Sequence, residues 1–134
     1  MTIQAAVLCD AATDYNGKLN LLGTFDTIVT AQFPAVHPQC SIAVRIAFER
    51  MEEGKHQLQI TFVDEDGKRI MPPMDIPVEV TFPGDTTFLS RNFVINIQQL
   101  KFDQPGLYSI DLAMDGRQIS GIPLAVRQAG KTQS

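Results

Sequence analysis

Two histidines, two cysteines and one short acidic run are the side chains of this 134-residue chain best placed to do chemistry. His37 sits between prolines and His56 beside the Glu53-Gly54 turn. Neither has a Cys, Asp or second His at metal-ligand spacing, so both are expected on the solvated surface. The chain has no Gly-x-Ser-x-Gly elbow, no His-Glu-x-x-His pair, no Walker loop and no glycine fingerprint opening a helix. The usual nucleophile and phosphate devices are therefore missing. No catalytic residue, no cofactor and no metal is expected. A remote alternative is an enzyme whose site assembles across a subunit interface from Asp10, Asp14 and His37.

The acidic run Asp64-Glu65-Asp66-Gly67-Lys68 offers a second chemistry. Together with Asp10, Asp14 or Asp111 it could hold calcium, as in sandwich domains that bind lipid or protein in a calcium-dependent way. Such sites need two or three acidic loops gathered at one end. Lys68 and Arg69 follow the run at once, which favours a charged hairpin tip. Cys9 and Cys40 lie in apolar runs, where free thiols pack as small hydrophobes, and two are too few for a disulfide framework. A bridge between them stays open if their strands face each other.

Composition narrows the partners. The net charge is −4 and the basic residues are scattered, so nucleic acid is not expected. There is no Trp, and the eight Phe fall mostly in core phase, which argues against a sugar platform or another small-molecule ligand. The opening MTIQAAVLCDAATD has no basic region and only a brief apolar run. It reads as a cytoplasmic first strand, neither a signal peptide nor a membrane span.

The elements that must position these groups are marked by turns. Asn16-Gly17, Glu53-Gly54, Asp66-Gly67, Pro83-Gly84, Pro105-Gly106 and Asp115-Gly116 punctuate strand-length segments. Ile42, Val44, Ile46 and Phe48 alternate with small or charged residues, a period of two. The same alternation runs through Leu58, Ile60 and Phe62, through Ile76, Val78, Val80 and Phe82, and through Tyr108, Ile110, Leu112 and Met114. Asp66-Gly67 and Asp115-Gly116 predict type I′ hairpins. Ile3 to Asp10, apolar on both faces, predicts a strand that is central or lies against a dimer partner.

Leu19 to Val29 breaks its alternation at Gly23, which predicts a bulge or bend there and makes Gly23 structural. SRNFVINIQQLKF predicts strand through Ile97 and then a corner. Pro77 and Pro123 predict edge strands, bulges or outward-pointing nitrogens. The whole is expected to be an all-β fold: one antiparallel β-sandwich of about eight strands over residues 1–128, with 129–134 as a flexible tail.

Leu100 to Tyr108, with Pro105 and Gly106 before Tyr108, resembles the corner of immunoglobulin-like sandwiches, in which a Tyr hydroxyl bonds backbone a few residues upstream. A wider pattern comprises Cys9-Asp10, Leu21-Leu22-Gly23-Thr24-Phe25-Asp26, Phe33-Pro34 and Pro105-Gly106-Leu107-Tyr108. By this pattern, about residues 3 to 127 resemble an uncharacterised bacterial family of short proteins. The resemblance implies fold and carries no function.

What remains is surface. The expected role is a non-enzymatic binding or assembly module acting through edge strands or loops, with a protein partner or a second copy. The Met71-Pro72-Pro73-Met74 loop is a candidate contact patch, and the alternative is that its methionines plug the sandwich end. The alanines of the first strand are a candidate dimer surface.

Overall fold

The computed structural model describes residues 1–130. These form β1 (Thr2–Tyr15), β2 (Lys18–Phe25), β3 (Thr27–Thr30), β4 (Ala35–Glu49), a 3-10 turn (Arg50–Glu52), β5 (Gly54–Val63), β6 (Met74–Val80), β7 (Phe88–Phe102), β8 (Gly106–Met114) and β9 (Arg117–Gln128). The strands make two sheets, in the orders β2-β1-β4-β7 and β3-β9-β8-β5-β6. The core lies between them. Ile42, Val44, Ile46 and Phe48 of β4 meet Leu58, Ile60 and Phe62 of β5 and Ile110, Leu112 and Met114 of β8, all fully or nearly fully buried. Each large side chain so buried contributes about 1.5–3 kcal/mol, which is what holds two open sheets face to face.

Strand pairing departs from the antiparallel expectation at one place. The Leu19–Val29 segment is divided: β2 ends at Phe25 in the first sheet, and after Asp26 the chain continues as β3 in the second. There β3 pairs parallel with β9, because a strand that steps across the sandwich keeps its direction. The division also brings the strands among the described residues to nine.

The opening hairpin is longer than expected and folded. β1 lies between β2 and β4, and its pairing with β4 stops at Cys9↔Ser41 while its pairing with β2 runs on to Tyr15↔Lys18. Arg45, opposite Ala5, donates to the carbonyl of Gly17 (2.8 Å), and Asn92, opposite Arg45 on β7, donates to the same oxygen (3.1 Å). Eleven residues of extended chain separate Ala5 from Gly17 in sequence, so the hairpin must double back over the outer face of the first sheet. The bend falls midway, where Asp10 and Gly23 drop out of the ladder and Gly23 takes φ +68°. Cys9, Ser41 and Ala43 are buried on that outer face. Ala12 and Leu19 of the returning arm are half-buried, while Tyr15 and Leu22 are 68% and 69% exposed. Thr2 to Val7 of the alanine-rich strand pair with β4 on one side, and pairing with β2 on the other side begins only at Leu8.

β7 does not end at Ile97. It continues to Phe102, and Gln99 at φ +57° absorbs the expected corner within the strand. The inward phase changes there: Phe93 and Ile97 point to the core before it, Leu100 and Phe102 after it. Asp115-Gly116 has positive φ at both residues, as a type I′ turn requires. At Asp66-Gly67 only the glycine does, so the expected type I′ hairpin is replaced by a wider loop between β5 and β6. Pro77 lies on edge strand β6. Pro123 lies in β9 just before the pairing with β3 begins at Ala125, where that side of β9 is open. Ala129 donates to the Thr30 carbonyl (2.7 Å), tying down the first residue of the expected 129–134 tail, while 131–134 lie outside the described residues. Among the described residues no helix is long and apolar enough to cross a membrane.

A Cβ at Gly23 would stand 2.6 Å from Asp10 Oδ2, whereas one at Gly17, also at positive φ, would meet nothing. Gly17→Ala is therefore expected to cost about 1–2 kcal/mol by backbone strain. Gly23→Ala should exceed that by about 0.5–1.5 kcal/mol, the effort of moving the carboxylate off its rotamer. Urea unfolding checks this, and Asp10→Ala in the Gly23→Ala background should recover the excess. Equal losses at the two glycines would contradict the close approach.

Candidate functional site

At one end of the sandwich the Tyr108 hydroxyl donates to the Gln104 carbonyl at 2.6 Å. The ring packs edge-on against Phe102 (5.0 Å between centroids) and Phe62 (6.5 Å), so it fills the sandwich end while its polar tip closes the turn. Pro105 is exposed on that turn, and Gly106 adopts φ +156°. The acidic loop docks here: Glu65 accepts a hydrogen bond from the Leu107 amide (3.0 Å), and a Cβ on Gly106 would lie 2.6 Å from the same carboxylate. Asp64 holds the loop's own shape by accepting from the Asp66 and Lys68 amides, both at 2.9 Å. Burial pushes the Tyr108 pKa up, with Asp64, Asp103 and Glu65 adding to it. A cavity of about 280 Å³ lies against Asp64, Glu65, Gln104 and Tyr108, where Glu65 is bonded to the Leu107 amide and Tyr108 to the Gln104 carbonyl.

The calcium set does not assemble. Asp10 lies over Gly23, Asp14 is on the returning hairpin arm, and Asp111 accepts from Ser109 Oγ (2.7 Å) on the outer face of the second sheet. Among the described residues no three His, Cys, Asp or Glu gather to hold a metal. Asp10 and His37 border one open groove, and His37 packs against Phe25 at 5.6 Å. Cys9 and Cys40 are free and fully buried. Cys9, opposite Ser41, lies on the outer face, while Cys40 belongs to the core, so the two thiols are on opposite sides of one sheet. Burial pushes Cys40 up to about 11 and raises Cys9 as well, which keeps both protonated and inert.

His56 is not the solvated surface residue its sequence setting suggests. Its side chain is 17% exposed. Nδ1 lies 2.6 Å from Asp115 Oδ2 and Nε2 lies 2.6 Å from the Glu52 carbonyl. Both partners are acceptors, so the ring satisfies both only as a cation. The hydrogen bond to Asp115, then that to Glu52, raises the His56 pKa, and the His56 contact chiefly lowers that of Asp115. Glu52 also pairs with the Met1 ammonium (2.9 Å), so this cluster ties the 3-10 turn, the chain start and the β8–β9 turn together. No sequence signal marks it, because Asp115 lies 59 residues from His56.

In the Met71-Pro72-Pro73-Met74 loop, Met71 and Met74 are half-buried against the core and only Pro72 is exposed. The sheet edges stand out more. β7 pairs with β4 alone over Ala35↔Phe102 to Glu49↔Phe88, and among the described residues no other element bonds its backbone. From Phe93 to Leu100 it holds neither a charge nor a proline.

Fold and site together define a two-sheet β-sandwich domain in which, among the described residues, no metal-holding cluster gathers. The chain belongs to the family described as a family of unknown function, DUF6941, which matches residues 4–127. No curated protein matches it. Among solved structures it is similar to a glycosyl hydrolase family 2 member from Bacteroides cellulosilyticus DSM 14838, with 12% identity and a TM-score of 0.46, covering 92% of this chain and 15% of that one. It is also similar to a beta-glucosidase from Listeria innocua, with 9% identity and a TM-score of 0.47, covering 76% of this chain and 14% of that one. The chain thus spans about a seventh of the length of these proteins.

Two outcomes follow. Tyr108→Phe leaves the Gln104 carbonyl without its partner and is expected to cost about 1–2 kcal/mol in urea unfolding. A neutral change would contradict the corner's role. For His56, the folded state holds the proton more tightly than the unfolded chain. Its contribution is therefore fully present below the unfolded pKa of about 6.5 and lost as pH rises through the higher folded value. Asp115 contributes above its unfolded value of about 3.9 and loses that as pH falls through its lowered one. Stability should fall from pH 6 toward pH 8.5 in the wild type by more than in His56→Gln. Parallel profiles would sink the assignment.

Proposed function

We propose that this chain is a non-enzymatic binding and assembly module that recruits an extended strand to the outer edge of β7. The observation that carries this reading is that β7 holds the longest unguarded edge among the described residues, Phe88 to Phe102, whereas the open stretch of β1 covers only Thr2 to Val7. Edge strand β6 carries Asp75, Pro77 and Glu79, β3 has four residues, and β2 bends away at Gly23. Proteins blunt their edges in these ways because unpaired amides and carbonyls template further pairing. A long edge of β-branched and amide residues without charge or proline is a hazard unless it is used.

The strand order supports an immunoglobulin-like reading. β4 and β7 take the places of strands B and E, and β5, β8 and β9 those of C, F and G, with the tyrosine corner at the start of F. Strand D, which flanks E in a constant-type domain, has no counterpart among the described residues, and this leaves β7 outermost. Addition of an incoming strand would restore that position, with main-chain bonds giving affinity and alternate side chains giving selectivity. The partner is a protein segment or a second copy. A basic field for nucleic acid is missing at net charge −4.

A fluorescent peptide of residues 88–102 with terminal lysines tests the edge directly. Anisotropy should show saturable binding with Kd on the order of 10–100 µM, given the small contact. Gln98→Lys should weaken it severalfold, and Ile95→Lys, confirmed folded by circular dichroism, should abolish it. No saturable binding, or binding unchanged by both variants, contradicts the proposal.

A further inference from the structure

Resting on that reading, we infer that the occupant of the edge is a second copy of this chain, paired β7 to β7 antiparallel about a two-fold axis at Ile95. The strand is its own complement. In the regular stretch before Gln99, Phe93, Ile95 and Ile97 point toward the core side, while Asn92, Val94, Asn96 and Gln98 point to the outer face. A partner strand must repeat that alternation, since a slip by one residue would set amides against the apolar row.

The axis at Ile95 keeps Arg91 off the apolar row and away from Lys101: Arg91 then faces the partner's Gln99 at the end of the regular stretch, and Leu89 faces the partner's Lys101 beyond it. With the axis at Phe93 or Val94, Arg91 faces the partner's Ile95 or the partner's Ile97. With it at Asn96, Arg91 faces the partner's Lys101 and like charges collide. With it at Ile97, Ile95 faces the partner's Gln99, whose positive φ interrupts the ladder. At Ile95 the inward row sets Ile95 against the partner's Ile95 and Phe93 against the partner's Ile97. The outer row then sets Asn92 against the partner's Gln98 and Val94 against the partner's Asn96. Aromatic and β-branched pairs of this kind are favoured across strands.

Arg91 supports the same choice, because it is already engaged. Its guanidinium donates to the Glu79 carbonyl (2.8 Å) and lies 5.9 Å from the centre of the Phe93 ring. It closes the side of the sandwich between β7 and β6 and marks one limit of the apolar row. Ile95 is half-buried against the core, so its remaining exposed surface is what the second copy would cover. The two first sheets would then run on as one continuous sheet.

Sedimentation velocity of the full chain across a dilution series, together with oxidative cross-linking, tests this. The wild type should pass from monomer to dimer in the range of about 10–100 µM. Ile95→Lys and the milder Gln98→Lys should shift that transition at least severalfold upward. Ile95→Cys should form a disulfide-linked dimer faster than Gln98→Cys, because only a residue on the axis meets its own copy at bridging distance. The native cysteines are buried and do not compete. A wild type monomeric throughout, a dimer unmoved by both lysine variants, or equal cross-linking at the two positions overturns the inference. If the wild type stays monomeric yet still binds the 88–102 peptide, the edge reading stands and only its self-partner is lost.

Discussion

A sandwich of two open sheets exposes four strands whose outer amides and carbonyls face water, and how each is stopped from pairing constrains everything else in this molecule. The chain answers the constraint three times by different means: a proline and two carboxylates on β6, brevity on β3, and a bend that folds the β1–β2 hairpin onto the sheet. The fourth answer is missing on β7. Since the core requires β7 to present Phe93, Ile97, Leu100 and Phe102 inward, the strand is rigidly held on one side while its other side stays available.

The folded hairpin shows how closely the local and global levels are linked. Positive φ at Gly23 and the Asp10 carboxylate beside it set the bend. The bend carries Gly17 to Arg45 and Asn92, and that contact buries Ser41, Ala43 and Cys9 on a face that would otherwise be open. At the opposite end of the sandwich Tyr108 and Glu65 fasten the loops, and His56 with Asp115 fastens the other. Ionisable groups that look available for chemistry are thereby spent on shape.

Much of this was legible beforehand. Period-two alternation found the inward rows of β4, β5, β6 and β8, because a half-buried strand imposes it residue by residue. The Pro105-Gly106 turn before Tyr108 pointed to the hydroxyl's backbone partner, since both lie within a few residues. The parallel β3–β9 pairing was hidden, because a step between sheets leaves no mark beyond Asp26 itself. The direction in which Gly23 bends the hairpin depends on Arg45 and Asn92, far along the chain. His56 looked solvated because its carboxylate partner arrives with a turn formed much later. The length of β7 was cut short because Gln99 shifts the inward phase, which in sequence looks like an ending.

Residue-resolved hydrogen exchange against protein concentration tests the account most directly. Outward-facing amides of β7 between Asn92 and Gln98 should exchange readily in dilute solution and gain protection as concentration rises, while those of edge strand β6 stay unchanged. Concentration-independent exchange along β7, or equal protection appearing on β6, would contradict the claim that the unguarded edge is where this protein meets a partner.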